Sequence, residues 1–286
     1  MEMNMERTLY LSEKHGVEIR RDGPSLWVRE RGKAGYRVPA RLVGRVVIMG
    51  NIRMDAGVIS LFTEENIPVA FLNRQGRELA VCMPYNHRLA RHYEEQKVLF
   101  RTEEHAKLFT QWLLAVRRSN QLETLKYLSD DKARVFSKIG FRERDYEDIV
   151  KSLLFDGDQQ WRAARTVVEG LFHEMIIRSL LRADLDPHFG ITNRRHNFAL
   201  ALEFAWALGG EIDLQTIRFL NAAHYTGVSW RSTDGSIILK EGLKAVIERF
   251  EKRKKTVDRL IEAMIDDLFR LIREIGMGVY EEDSGR

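Results

Sequence analysis

The chain has 286 residues, 44% hydrophobic and 31% charged, which is enough for two domains and a full core. No apolar run reaches the length a membrane-spanning helix needs, and Cys82 is the only cysteine, which excludes a disulfide framework and a thiolate metal cluster. A formal net charge of +4, from 46 basic and 42 acidic residues, is a mild excess that tolerates phosphate partners without requiring them.

The first residues, MEMNMERTLYL, carry acids where a signal peptide needs a basic and then an apolar stretch. A cytoplasmic location is therefore expected. Pro24, Pro39, Pro68 and Pro84 all fall early, and only Pro187 follows. Proline punctuates loops and is expelled from helix interiors. The predicted architecture is α+β: a small β-sandwich or roll over residues 1–84, a linker at 85–88, and a larger all-α domain over 89–286.

In chain order, RTLYLS, GVEIRR, SLWVRE, GYRVPA, GRVVIMG, IPVAFLN and GRELAV are short runs rich in β-branched and aromatic residues. Gly16, Asp22-Gly23 and Gly32 break them with turn chemistry, and the Asp22-Gly23 pair predicts a hairpin. Met54 to Glu65 interrupts with a helical period. From Leu89 onward the spacing predicts helices over 89–115, 120–138, 143–155, 159–183, 197–208, 213–223 and 240–275. Thr233-Asp234-Gly235 suggests a small inserted hairpin, and the tail EEDSGR is expected to fray.

Residues 185–213 are the most informative segment. Between Phe198 and Leu208 ten of eleven residues are apolar, and the exception is Glu203. A helix apolar all round is buried, and a carboxylate inside one is costly unless a cation, a metal or several donors meet it. Just upstream lie Arg194, Arg195 and His196. Two readings stay open: a structural ion pair between helices, or a site for phosphate or metal. Basic clusters at Arg29–Lys33, Arg117-Arg118, Arg194-Arg195 and Lys252–Lys255 can neutralise phosphate, although a solvated face is the simpler reading of any one of them. His188, His196 and His224 fall near the same segment, and a lone histidine is more often surface or core than a ligand. Asp130 and Asp131 in LSDDKARVF offer carboxylates, with helix capping the favoured local role. No phosphate loop, GxGxxG, HExxH or GxSxG motif occurs.

The order of features is similar to one family. RTLYLSEKHGVEIRRDGPSLWV, VPARLVGRVVIMGNIRM and LFTEENIPVAFLNRQGR precede LDPHFGI, an apolar helix ending in EID, and DGSIILKEGLKAVIERFEKR. From about Arg7 to about Arg273 this resembles the CRISPR-associated adaptation integrase, the universal Cas endonuclease that inserts spacers into the repeat array. The resemblance implies a metal-dependent DNA transesterase in which a Glu, a His and an Asp hold Mg²⁺ or Mn²⁺. It also implies a homodimer formed through the β-domain, double-stranded or branched DNA as substrate, and a small ferredoxin-like partner. The chain departs from the family at all three metal positions. Asn193 stands at the His position, Glu203 at the Asp position and Ser129 at the Glu position, with Asp130 beside it. The resemblance therefore nominates Glu203 and Asn193 for catalysis, and both with Asp130 for metal. His196 or His188 could substitute through a local shift, and Arg194, Arg195, Lys132 and Arg134 are the candidate DNA contacts. It leaves two functions open: an integrase with an unusual metal site, or a catalytically impaired member that binds DNA or assembles the complex.

Overall fold

A computed structural model describes residues 7–13, 17–84, 89–153, 158–192, 195–226 and 240–284. The chain divides into two compact units, Met1–His87 and Arg88–Arg286. The first carries the sheets and the second the long helices.

In the first unit, β1 (Arg7–Ser12), β5 (Val43–Met49), β6 (Val69–Leu72) and β7 (Glu78–Cys82) form a four-stranded sheet in the order β1-β5-β6-β7. β5 runs parallel to β1 and to β6, and β7 returns antiparallel on β6. β2 (Val17–Asp22), β3 (Ser25–Glu30) and β4 (Tyr36–Pro39) form a second, antiparallel sheet. The hairpin expected at Asp22-Gly23 is present: Asp22 faces Ser25, and Gly23 takes φ +60°, where a side chain would strain the turn. Parallel neighbours need a crossover, and β5 reaches β6 through α1 (Ala56–Glu64). Asp55 caps that helix, its Oδ1 accepting the Gly57 N–H at 2.6 Å. Both sheets and the helix share one core, which includes Ile19, Leu26, Ile48, Phe62 and Val69. Burying an apolar side chain of this size contributes about 1.5–3 kcal/mol.

The helical unit departs from the predicted boundaries: the helix expected over 89–115 is interrupted before Glu103, the one expected over 120–138 is split at Ser129, and three further differences have a clear cause. After the short α2 (Tyr93–Lys97), one helix, α3 (Glu103–Leu128), runs through residues 116–119, where a gap was expected. Arg117 to Asn120 contain neither Gly nor Pro, and the real stops are at its two ends. Thr102 Oγ1 accepts the His105 N–H at 3.1 Å and starts α3. Ser129, at φ −159° and ψ 89°, ends it and begins α4 (Asp130–Ile139). The second difference is at Gly209-Gly210, which fell between the helices predicted over 197–208 and 213–223. These residues open α8 (Gly209–Thr226), only Leu208 separating it from α7 (Ala199–Ala207). A Cβ on Gly210 would lie 2.8 Å from the Asn120 carbonyl oxygen, so this glycine lets α8 approach the α3 backbone. Third, α9 (Lys240–Ser284) carries helical backbone into the tail expected to fray. The hairpin expected near Thr233 lies outside the described residues.

α5 (Glu143–Ser152) and α6 (Asp158–Arg182) complete the unit. α6 buries Val167, Leu171, Phe172, Ile176 and Leu180, together with the polar His173, Glu174 and Arg178. Polar side chains buried on one helix mark it as central to the packing rather than peripheral. Among the described residues no helix is long and apolar enough to cross a membrane.

Candidate functional site

Glu203 lies on α7 and is 1% exposed, as its apolar surroundings predicted. Its Oε1 accepts three hydrogen bonds from the preceding loop: the Ile191 N–H at 2.7 Å, the Thr192 N–H at 2.5 Å and the Thr192 hydroxyl at 2.8 Å. Two consecutive backbone N–H groups aimed at one carboxylate oxygen make a small anion cradle. The glutamate thereby holds the loop that leads into its own helix.

The local sequence builds this arrangement. Gly190 allows the loop to touch α7, since a Cβ there would sit 2.6 Å from the Ala199 carbonyl carbon and 2.7 Å from the Leu200 nitrogen. The Leu200 N–H donates to the Pro187 carbonyl at 3.1 Å. Phe198 precedes α7 in a left-handed conformation, φ 61°, which is unfavourable for a bulky residue. It is held by its N–H, which donates to His188 Nδ1 at 3.1 Å, and by ring contact with the same histidine at 4.4 Å. As the acceptor, that Nδ1 carries no proton. His188 is therefore committed to shaping the turn.

The other candidates are dispersed. Asp130 is the first residue of α4 rather than its cap, and its Oδ2 pairs with Arg134 at 2.5 Å across one turn. The pair is 54% and 72% exposed, a geometry worth little to stability. Its acidic first turn still complements the helix dipole. Lys132 is exposed on α4, and Arg195 and His196 are exposed in the turn before α7. Asn193 and Arg194 lie outside the described residues, as do the side chain of His224 and the loop after it. Ser129 forms the α3–α4 junction. Glu169 is an ordinary helix residue, paired with Arg165 at 2.9 Å.

The divalent ion implied by the resemblance needs several hard donors converging on one point. Among the described residues no three His, Cys, Asp or Glu side chains gather to hold one. Glu203 Oε1 is already saturated with donors, and Asp130 is spent on Arg134. Neither of these two carboxylates is joined by two further acidic, histidine or cysteine side chains among the described residues.

An ion pair between helices, of the kind weighed for Glu203, is formed by Asp213. Its Oδ1 accepts from Arg165 Nε at 2.9 Å and its Oδ2 from the Tyr146 hydroxyl at 3.1 Å, joining α8 to α6 and α5. Burial pushes the Asp213 carboxyl up, against the pull of Arg165 and Tyr146. Burial and the neighbouring Asp213 charge push the Tyr146 phenol up as well. A second cluster places Arg117 over the Trp206 ring at 4.5 Å, hydrogen-bonded to the Trp206 carbonyl and paired with Glu143. Although burial raises the Glu143 carboxyl, Arg117 and Gln121 hold it below its usual range. Residues brought together across 26 to 89 positions leave no local pattern, so sequence reading missed both clusters.

Residues 9–154 match the family model described as CRISPR associated protein Cas1. No curated protein matches the sequence. Among solved structures, TM1797, a CAS1 protein from Thermotoga maritima, superposes with a TM-score of 0.74 at 16% identity, over 93% of this chain and 96% of that one. A casposase bound to integration product gives 0.68 at 14% identity, covering 86% and 82%. A chain of a Cas6-RT-Cas1–Cas2 complex gives 0.72 at 15% identity, covering 96% of this chain and 35% of that one. At these identities the structural likeness shows the fold: an N-terminal β-sheet region followed by a mostly helical part.

Proposed function

This chain belongs to the CRISPR-associated Cas1 family, and from that premise we propose that it acts in spacer acquisition as a DNA-binding and assembly subunit, without the strand-transfer chemistry itself. The observation that carries this reading is the Glu203 carboxylate. The acid at the family's Asp position has its Oε1 turned to Ile191 and Thr192 as a loop clamp. A metal approaching that oxygen would have to compete with three donors for its lone pairs. Asn193 and Ser129 at the other two positions supply no charge, and Asn193 cannot serve as an acid or base at neutral pH.

Two relatives supply the partners. One was solved bound to an integration product, the other within a Cas2-containing complex. We extend these to branched or double-stranded DNA, contacted through Arg194, Arg195, Lys132 and Arg134, and to a small ferredoxin-like protein. We place a homodimer contact on the β-unit, which presents Tyr36 on β4 at 53% exposure and Leu79 on β7 at 67%. Strand edges of this kind are ready-made pairing templates. The cytoplasm, where such DNA lies, is the expected location.

The test is DNA binding followed by anisotropy in EDTA, beside nuclease and strand-transfer assays with Mn²⁺ or Mg²⁺. Binding without metal is expected, falling steeply between about 50 and about 200 mM salt, with no cleaved or joined product. Lys132→Ala and Arg195→Ala should each weaken binding uniformly across sequences and lower the salt slope by about one. Metal-dependent products that disappear in Glu203→Ala would overturn the reading and establish an integrase built around a glutamate. Absence of salt-sensitive DNA affinity would overturn it in the other direction, leaving a scaffold that binds only proteins.

A further inference from the structure

Away from Glu203, a cavity of about 190 Å³ opens between α6, α8 and α9. Four of its lining side chains are cationic, Arg218 on α8 and Arg249, Lys252 and Arg253 on α9, and no lining side chain is acidic. Its floor is apolar: Val168, Val246, Phe219 and Phe250 are each at most 2% exposed. Like charges gathered over an apolar floor repel one another, and the partly buried Arg218 and Arg253 are the least screened of the four. An anion seated among them would relieve that repulsion.

The existing partners do not neutralise the group. Arg253 Nη2 reaches Glu211 at 2.8 Å, and Arg218 lies over the Tyr127 ring at 3.8 Å. Yet the Nε atoms of both arginines are buried with no hydrogen-bond partner. Arg249 and Lys252 are exposed at the rim and pair with no carboxylate among the described residues. Gln215 lines the same wall, its amide nitrogen donating to Glu211 at 3.2 Å, which leaves its carbonyl oxygen to accept. The site thus gathers two partly buried guanidinium groups, two exposed cations and one acceptor.

We propose that this cavity binds a phosphate group carried on a compact body, the chemistry of a nucleoside monophosphate or of a phosphorylated strand end. Guanidinium forks match phosphate oxygens in pairs, and a phosphomonoester carries up to two charges for the cluster to neutralise. The apolar floor gives a short organic body a surface to cover, and the volume admits little more than a headgroup and its neighbour. The inference stands apart from the loss of metal chemistry, because it uses none of the residues at the family's metal positions.

The test is isothermal titration of the full chain with inorganic phosphate, deoxyadenosine monophosphate, deoxyadenosine, and a short single strand with or without a 5′-phosphate. Saturable binding of the phosphate compounds and none of the bare nucleoside is expected. Arg249→Ala/Lys252→Ala should weaken it at least about tenfold, the scale of losing charge-assisted bonds. Both residues are exposed, so the variant should fold. Removing two cations elsewhere, as in Arg20→Ala/Arg270→Ala, should leave affinity within about twofold of the wild type. Preference for the monophosphate would identify a free nucleotide as the ligand. Preference for the 5′-phosphorylated strand, lost in the Arg249 and Lys252 variant, would identify a strand end. Absence of saturable binding by every phosphate compound, or equal binding by that variant, would overturn the proposal.

Discussion

Replacing Glu203 by Ala removes the acceptor of three hydrogen bonds and strands two backbone N–H groups and a hydroxyl around a side chain that is 1% exposed. A hydrogen bond to a charged group contributes about 1.5–3 kcal/mol. Three bonds sharing one oxygen are not additive, and the loop can relax toward water. The expected cost is therefore about 3–5 kcal/mol, below the simple sum. Glu203→Gln keeps a carbonyl oxygen that can accept the same three donors and loses only the charge, so about 1–2 kcal/mol is expected. Urea unfolding by circular dichroism in EDTA gives the two differences. Hydrogen exchange of the Ile191 and Thr192 amides locates the effect, with protection falling in the Ala variant and persisting in the Gln variant. Mn²⁺ should not stabilise the wild type. The clamp argument is refuted if the Ala variant lies within about 0.5 kcal/mol of wild type, or if Mn²⁺ stabilises the wild type and that gain disappears in Glu203→Gln.

Three further outcomes are expected. Arg165→Met leaves Asp213 buried with Tyr146 alone and should cost about 3 kcal/mol near neutral pH. Because burial already raises the Asp213 carboxyl, this penalty should shrink as pH falls and the acid becomes neutral, and a pH-independent deficit in thermal melts would count against the pairing. Glu13 is held at about 2 by Arg74 and by the Asn51 N–H. Its folded value lies below its unfolded one, so its contribution is complete above about pH 4.5 and is lost as pH falls toward 2. The melting-temperature gap between wild type and Glu13→Gln should close over that window, and a constant gap would contradict it. Gly190→Ala drives a methyl against the Ala199 and Leu200 backbone and should destabilise by about 1–3 kcal/mol, whereas unchanged stability in the same urea titration would show that the loop does not pack as described.

The β-unit was legible because its signals are local. Asp22-Gly23 is a turn wherever it stands, and alternating runs such as RTLYLS become strands of the expected length. Burial of Glu203 was legible from the ten apolar residues around it. Its partners were not, because backbone N–H groups of Ile191 and Thr192 leave no trace in residue type. Gly209-Gly210 fell between the helices predicted over 197–208 and 213–223; glycine is a poor helix former, and the close approach of α8 to α3 outweighs that preference. Arg45, in the run GRVVIMG, passed as part of an apolar strand yet is fully buried, with its Nη2 donating to the Tyr10 hydroxyl at 2.7 Å. The cationic cavity was half visible as the cluster at Lys252–Lys255. Arg218, which completes it, is more than thirty positions away.

The loop clamp has a consequence for how the family's history is read. An acid that holds its own loop in place is under selection through folding, whatever became of the chemistry at that position. Aspartate would reach about one methylene less far toward Ile191 and Thr192, so a change between the two acids alters architecture as well as reactivity. A chain could therefore lose a catalytic task while its fold still calls for an acceptor at residue 203. A carboxylate at residue 203 is thus accounted for by what the loop and helix need, and its presence is not by itself a sign of catalysis.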